Sequence, residues 1–302
     1  MARFLAVGLM LAALATAASS SHAGNLGVCD TPKELSPAQK DRLFRFGSIV
    51  KGELEKSGQR VALIARSGLD LARFGVRYSH AGFTLKGSAE TPWAVRQLYY
   101  ACEERLPRLF DQGMLAFVLG MNEPNVGYVS VVLLPEAESA EVERRALDNR
   151  LALQLLGGRY SANAYPFSAQ YQNCNQWTLE LLATARGRLD DSADLRERAQ
   201  GWLKEQGFRP TVFDAGWRPL MWAANQLVPW LHEDDHPAED LRKKLYRVSM
   251  PSSIEGFVQE SLPGAERLEF CHNERQVVVR RGWDPIPDGC IAGERDTVIP
   301  LD

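Results

Sequence analysis

Apolar residues along the first half of the chain alternate between a helical period and short strand-like runs. Ser36-Pro-Ala-Gln39 is a capping box with proline at the first helical position, so a helix is predicted to begin there and to end near Ser57. Apolar and β-branched runs predict strands at residues 61–65, 77–85, 93–100, 117–119 and 128–134. The second and third of these are expected to pair as a hairpin. The last is almost continuously apolar, which is typical of a strand inside a sheet.

Helical patterns dominate the remainder of the chain. Residues 136–156 are rich in Glu, Arg, Ala and Leu and predict one long helix, and another helix is predicted to begin at Cys174. Residues 189–206 predict a polar helix. Together these elements predict an α+β fold, with a core at about residues 60–185 and a helical, loop-rich C-terminal extension at about residues 186–302.

Cys174 lies where the pattern changes. Residues 157–167 before it are turn-formers and aromatics, whereas Trp177, Leu181 and Leu182 after it follow the spacing of one helical face. A thiol in the first helical turn lies beside unpaired N–H groups and the positive end of the helix dipole, which stabilise a thiolate and can bind a developing oxyanion. Cys174 is therefore a candidate nucleophile, and the alternative is a small buried residue without a chemical role.

The first 23 residues have the pattern of a secretory signal peptide. Arg3 precedes an apolar run at residues 4–14, and Ser21-His22-Ala23 resembles a small-residue cleavage site. The run is too short to cross a bilayer, although a retained N-terminal anchor is the alternative. We expect a mature chain from about Gly24 that is periplasmic or secreted, in a compartment where disulfides form.

In an exported protein, most of the five cysteines of the chain are expected to form disulfides. Cys271 and Cys290 flank a short hairpin-like segment, and pairing them leaves Cys29 and Cys102 as a second pair. An odd number of cysteines in a secreted protein indicates disulfides plus one free thiol. On this pairing Cys174 is the free thiol, and other pairings stay open.

Composition and charge limit the class of function. The hydrophobic fraction of 45% is ordinary for a globular protein, and a net charge of −3 provides no electrostatic basis for nucleic-acid binding. Removal of 23 of the 302 residues leaves about 279, which we expect to form a single mature domain. The mature chain has no second apolar stretch that would span a membrane, so none is expected.

His80 is the histidine best placed to serve a thiol nucleophile. It lies in a strand-like run with small residues on both sides. An imidazole within hydrogen-bond reach can hold the thiol proton as an ion pair and later protonate the leaving group. The neighbouring strand offers Arg96 or Gln97 to fix the imidazole tautomer, and Gln97 is favoured because an amide oxygen can accept the ring N–H. We therefore expect a catalytic site of Cys174, His80 and Gln97, and a purely structural His80 is the alternative.

Three motifs resemble a known bacterial family. Tyr-Ser-His-Ala-Gly-Phe at residues 78–83, Tyr-Pro-Phe-Ser at 165–168 and Gln-Asn-Cys-Asn-Gln-Trp at 172–177 together resemble DUF2145, an uncharacterised bacterial family whose name brings no activity. A strand histidine that precedes a helix-start cysteine is more distantly similar to the circularly permuted papain-like hydrolases, which include NlpC-type enzymes and relatives of lecithin–retinol acyltransferase. This likeness implies an antiparallel sheet packed on the cysteine helix, with His80 as base and Cys174 as nucleophile. The chain departs from that group at the third polar position, where no His, Asp or Glu follows at a clear strand site.

A second histidine motif lies further along the chain. His232 and His236 are four residues apart with three acidic residues between them, a spacing that can bind a divalent metal. A proline follows at once and no third ligand is evident, so a solvated loop or helix end is favoured. We expect neither a metal nor another cofactor.

Two functions of different class follow from these residues. The preferred one is an exported cysteine hydrolase or acyltransferase, in which Cys174 attacks an amide or ester carbonyl of a cell-wall peptide or a lipid. The alternative is a non-catalytic envelope binding or assembly protein on the same fold, in which Cys174 and His80 have no chemical task.

Overall fold

The computed structural model describes residues 34–121, 123–214, 216, 228 and 230–301. The predicted signal peptide and Cys29 lie outside these residues. The described helices are α1 Pro37–Lys56, α2 Met114–Leu119, α3 Glu136–Leu147, α4 Asn149–Gln154, α5 Cys174–Arg186, α6 Leu195–Glu205, α7 Ala238–Arg242 and α8 Pro251–Ser261. The described strands are β1 Val61–Arg66, β2 His80–Leu85, β3 Ala94–Ala101, β4 Leu106–Gln112, β5 Gly127–Leu133, β6 Thr211–Asp214, β7 Leu245–Val248, β8 Glu266–His272, β9 Gln276–Arg281 and β10 Thr297–Pro300.

One antiparallel sheet contains all the described strands except β6 and β7, which pair with each other. Its order is β10-β9-β8-β5-β1-β2-β3-β4. The predicted hairpin is confirmed because β2 pairs with β3, and the interior strand predicted at 128–134 is confirmed because β5 lies between β1 and β8. The sheet also continues beyond residues 60–185, since β8, β9 and β10 come from the C-terminal part of the chain. The predicted α+β class is confirmed, while the permuted papain-like arrangement stays a prediction.

The first helix begins where the capping box predicts. The Ser36 hydroxyl accepts the Gln39 backbone N–H at 3.2 Å, and the Gln39 side chain accepts the Ser36 N–H at 2.9 Å, so two otherwise unpaired donors are satisfied. The helix buries side chains at three- and four-residue spacing, which join a hydrophobic cluster with α2 and one face of the sheet. These side chains are Leu43, Phe46, Val50 and Leu54.

The strand predicted at residues 117–119 is wrong, because these residues end the helix α2. Phe117 and Val118 are fully buried in the cluster shared with α1. A short apolar run has no period that separates a buried strand from a buried helical turn, so packing against α1 decides its form.

The helix predicted at residues 136–156 is two helices, α3 and α4. Asp148 leaves the helical conformation between them and caps α4, where its carboxylate accepts the N–H groups of Arg150 and Leu151 at 3.0 and 3.2 Å.

The sequence pattern predicts no strand at the position of β4. This strand lies at the edge of the sheet and contains Pro107 and two charged residues. Such residues are common on edge strands and weaken a strand signal in the sequence.

The cysteines are arranged as the predicted pairing requires, within the described residues. Cys271 and Cys290 form a disulfide. Cys102 is disulfide-bonded, and its predicted partner Cys29 lies outside the described residues. Cys174 is a free thiol. In the part of the chain that the structure describes, none of the helices has the length and apolar character needed to cross a membrane.

Candidate active site

The start of α5 lies beside the first residues of β2, where β2 is not paired with β3. The ladder between β2 and β3 pairs residues 83–85 with residues 94–96 and does not continue to His80. The Asn175 side chain occupies that edge instead: its Oδ1 accepts the Ala81 N–H at 2.9 Å, and its Nδ2 donates to the Ser79 carbonyl at 3.2 Å. Because these two backbone groups flank His80, the contact brings Cys174 next to the His80 strand, with Sγ 4.0 Å from the Ser79 carbonyl oxygen.

The predicted helix start at Cys174 is confirmed. Asn173 has extended backbone angles and is the N-cap, and its Oδ1 accepts the Gln176 N–H at 2.7 Å. Its Nδ2 donates to the carbonyls of Ala162 and Ser249, both at 3.4 Å, which ties the cap to two other segments. Cys174 is half-buried as a residue.

His80 and Gln97 are in direct contact, as the sequence predicted. The Nε2 of His80 lies 2.6 Å from Oε1 of Gln97, and Nε2 of Gln97 donates to Oε1 of Gln112 at 2.6 Å. The second bond orients the Gln97 amide so that its oxygen faces the imidazole. With Nε2 engaged, Nδ1 is the ring nitrogen left for another partner, and no hydrogen bond joins the described side chains of His80 and Cys174.

Asp111 and Gly82 shape the surroundings of the His80–Gln97 contact. Arg96 pairs with Asp111 through two bonds of 2.6 and 2.7 Å, which turns its guanidinium away from His80. Gly82 allows the close approach of β3, since a Cβ at this position would lie 2.6 Å from the Arg96 carbonyl oxygen. A glycine after His80 therefore makes room for the β3 backbone.

Electrostatics keep the Cys174–His80 pair neutral in the free protein. Burial raises the pKa of the Cys174 thiol to about 11, against the opposing effects of the backbone N–H groups at the helix start, of Arg66 and of the Tyr160 hydroxyl. Burial, followed by the Arg66 charge, lowers the pKa of His80 to about 3, and its bond to Gln97 only partly opposes this. The helix start thus acts on the thiol in the expected direction, but desolvation outweighs it. The expected thiolate–imidazolium ion pair is accordingly not the resting form.

Iodoacetamide labelling at pH 7 is expected to be slow at Cys174. With a thiol pKa of about 11, the thiolate fraction should make alkylation on the order of 10²-fold slower than that of a free thiol with a pKa near 8.5. The rate should continue to rise up to the pH of the thiol pKa. Peptide mapping by mass spectrometry identifies the alkylated cysteine, and a plateau near pH 8 would contradict the expectation.

Arg66 and Tyr160 belong to this site but were not predicted. Arg66 is buried, lies directly opposite His80 in the β1–β2 register and donates to the Tyr99 hydroxyl at 3.0 Å. Tyr160 is also buried, and its ring stacks on that of Tyr100 with centroids 4.9 Å apart. The signal available for Arg66 was a charged residue at the end of an otherwise apolar strand.

A buried ion pair supports the segment that leads into Cys174. Glu180 is fully buried on α5 and accepts the Arg196 Nε at 2.9 Å. Arg196 also donates to the carbonyls of Ala169 and Tyr171 at 2.8 and 2.9 Å, so it links α6 to this segment. Three amide side chains complete the shell of the carboxylate, from Gln172, Gln176 and Gln200.

The histidines of the second motif serve other contacts. The ring of His232 stacks on Tyr171 with centroids 4.4 Å apart, and Nε2 of His236 lies 2.7 Å from the Asn163 carbonyl oxygen. Among residues whose placement is described, no group of three or more His, Cys, Asp or Glu side chains could hold a metal ion. The two histidines thus contact the segment that precedes Cys174.

A groove of about 680 Å³ lies on the other side of the β1–β2 connection. Its lining comes mainly from residues 67–77, with Tyr128 and Asp288 opposite, and it includes neither Cys174 nor His80. The groove begins at Ser67 and Gly68, directly after Arg66, but the candidate chemistry lies outside it.

Comparison with known proteins identifies a family without an assigned activity. A family model described as "Uncharacterized protein conserved in bacteria (DUF2145)" matches residues 53–258, which include Cys174, His80 and Gln97. No curated protein and no solved structure matches the chain.

Proposed function

The chain belongs to the bacterial family DUF2145, and from its site we propose that it is a cysteine hydrolase or acyltransferase that attacks an amide or ester carbonyl. The observation that carries this proposal is the 2.6 Å contact between His80 Nε2 and Gln97 Oε1 next to a free, helix-start cysteine. An imidazole oriented by an amide oxygen, with its other nitrogen free for a thiol, is the arrangement that nucleophilic thiol catalysis requires.

In the proposed reaction His80 acts as a general base and then as a general acid. Nδ1 of His80 takes the Cys174 proton as Sγ attacks the carbonyl carbon, and the backbone N–H groups at the start of α5 bind the oxyanion. Collapse of this intermediate breaks the C–N or C–O bond, and the leaving group takes the proton from His80. Water, or another acceptor in a transferase, then attacks the thioester and restores the Cys174 thiol.

The neutral resting pair is compatible with this role. Proton transfer from Cys174 to His80 creates the thiolate and the imidazolium together, and their attraction offsets part of the desolvation that disfavours each charge alone. His80 therefore takes the Cys174 proton during the attack on the carbonyl, and it does not hold Cys174 as a thiolate beforehand.

Acylation by p-nitrophenyl acetate tests the proposal without knowledge of the natural substrate. We expect this activated ester to acetylate Cys174 of the oxidised protein, with release of p-nitrophenol, and intact-protein and peptide mass spectrometry to locate the acetyl group. Cys174→Ala should lose both the acetyl group and the release of p-nitrophenol above background. Equal release from wild type and Cys174→Ala would remove the basis for a thiol enzyme.

A non-catalytic envelope binding or assembly protein is the second candidate. The raised thiol pKa favours it, because a thiol held neutral is a poor resting nucleophile. For this candidate, Cys174→Ala would leave the function of the protein in the cell intact.

We also propose that the protein works in the periplasm or outside the cell, on peptide, peptidoglycan or lipid substrates. The Cys271–Cys290 disulfide is compatible with an oxidising compartment. N-terminal sequencing of the protein recovered from periplasmic and extracellular fractions tests this, and an N-terminus at Met1 in the cytoplasm would contradict it.

A further inference from the structure

Arg66 places a positive charge beside the Cys174–His80 pair. It ends β1 as the direct cross-strand neighbour of His80, so both side chains leave the same face of the sheet. The Tyr99 ring, whose hydroxyl accepts from Arg66 Nη2 at 3.0 Å, lies 5.0 Å from the His80 ring. Burial has the largest effect on the pKa of both His80 and Cys174, and the nearby Arg66 charge lowers both values.

No salt bridge joins Arg66 to an acidic side chain within the described residues. Arg66 is 6% exposed, and its hydrogen-bond partners are neutral oxygens, two backbone carbonyls and the Tyr99 hydroxyl. Its Nε–H is buried and has no hydrogen-bond partner among the residues whose placement is described. By contrast, the buried Arg196 and Arg267 are each paired with a buried glutamate.

An uncompensated guanidinium attracts an anion of matching shape. Burial of a charge without a counter-charge is unfavourable, so a ligand that supplies the counter-charge gains affinity from this site. The fork of N–H donors on arginine matches the two oxygens of a carboxylate. Gly120 is exposed and covers the guanidinium, and a Cβ at this position would lie 2.7 Å from Nη2. Arg66 therefore lies directly beneath a surface glycine.

We propose that Arg66 forms a carboxylate-binding subsite next to Cys174, so that the substrate carries a carboxylate close to the bond that is cleaved. This inference rests on the proposed function, because it assigns a substrate class to the same site. The ligand carboxylate supplies the missing counter-charge, which a neutral acyl compound cannot do.

Two alkylating reagents that differ only in charge test the subsite. Iodoacetate and iodoacetamide both form an S–C bond with the Cys174 thiolate and release iodide, but only iodoacetate carries a carboxylate. The ratio of their rate constants cancels the thiolate fraction, so it reports the carboxylate preference independently of the thiol pKa. We expect this ratio at Cys174 to exceed that of N-acetylcysteine on the order of tenfold, as one nearby charge at moderate effective dielectric would produce.

Variants separate Arg66 from general charge. Arg66→Gln should return the ratio to that of N-acetylcysteine, whereas Arg66→Lys should keep part of the preference. Lys86→Gln is the matched control. Lys86 directly follows β2 and pairs with Glu55, so this variant also removes one positive charge but should leave the ratio unchanged. If Arg66→Gln does not fold, Gly120→Ala is the second variant, since its methyl group would press on the guanidinium and reduce the ratio.

The outcomes distinguish this subsite from the catalytic proposal. A wild-type ratio equal to that of N-acetylcysteine, or one unchanged in Arg66→Gln, overturns the subsite. Failure of both reagents to label native Cys174 also overturns it, since no small carboxylate then reaches the sulfur. Acylation of Cys174 by p-nitrophenyl acetate together with an ordinary ratio leaves the hydrolase and removes the subsite. A high, Arg66-dependent ratio without acylation supports the carboxylate subsite and argues against a thiol enzyme that accepts neutral esters.

Discussion

Replacement of His80 by alanine should slow the acylation of Cys174 by p-nitrophenyl acetate at pH 7 on the order of 10²- to 10⁴-fold. The reason lies in the thiol, whose pKa burial raises to about 11, so that thiolate is scarce at neutral pH and attack requires a base. His80 is neutral at this pH because burial lowers its pKa to about 3, so its imidazole can accept the proton. The low pKa weakens it as a base, and attraction between the imidazolium and the thiolate that form together offsets part of this weakness. The measurement is the rate of p-nitrophenol release, with the acetylated cysteine located by mass spectrometry.

The pH dependence of this defect separates a base from a structural residue. As pH rises towards the thiol pKa, more Cys174 is already ionised and the need for His80 falls, so the deficit of His80→Ala should shrink steadily between pH 6 and pH 10. A deficit that is constant across this range would show that His80 only maintains the structure. His232→Ala is the matched control: its ring stacks on Tyr171 and the proposed reaction gives it no role, so its loss should not change the rate.

Replacement of Glu180 by glutamine should lower the free energy of unfolding by about 3–5 kcal/mol, the usual cost of leaving one partner of a buried ion pair uncompensated. Glu180 is fully buried and the Arg196 side chain is 9% exposed, so neither charge is hydrated. The glutamine amide would also place donors against the donors that now surround the carboxylate. Urea unfolding of the oxidised protein, monitored by tryptophan fluorescence and circular dichroism, gives the change.

An exposed pair on the same protein provides the control for Glu180→Gln. Glu239 on α7 is paired with Lys243, the residue directly after this helix, and both side chains are more than half exposed. Because solvent screens such pairs, Glu239→Gln should be nearly neutral. A loss below about 1 kcal/mol for Glu180→Gln would mean that the amide shell around Glu180, rather than its charge, holds this segment together.

The candidate site shows which features local sequence patterns predict. The capping box at Ser36 and the helix start at Cys174 depend on contacts within a few residues, so they were predictable. The contact between His80 and Gln97 was also predictable, because β2 and β3 are consecutive strands of a hairpin and, of Arg96 and Gln97, only Gln97 has an oxygen that can accept the imidazole N–H. The strand expected at residues 117–119 failed because its helical form depends on packing against α1, which no local pattern encodes.

The α+β class, the pairing of β2 with β3 and the candidate residues Cys174, His80 and Gln97 follow from spacing and side-chain chemistry, so they were predictable from the sequence. The charge state of the site depends on the tertiary structure. The pKa values of Cys174 and His80 depend on how much water the folded chain removes from them, and the unpaired charge of Arg66 depends on which acids lie within reach. Desolvation and charge pairing are set by residues far apart in the chain, and they become defined only when the sheet and α5 pack together.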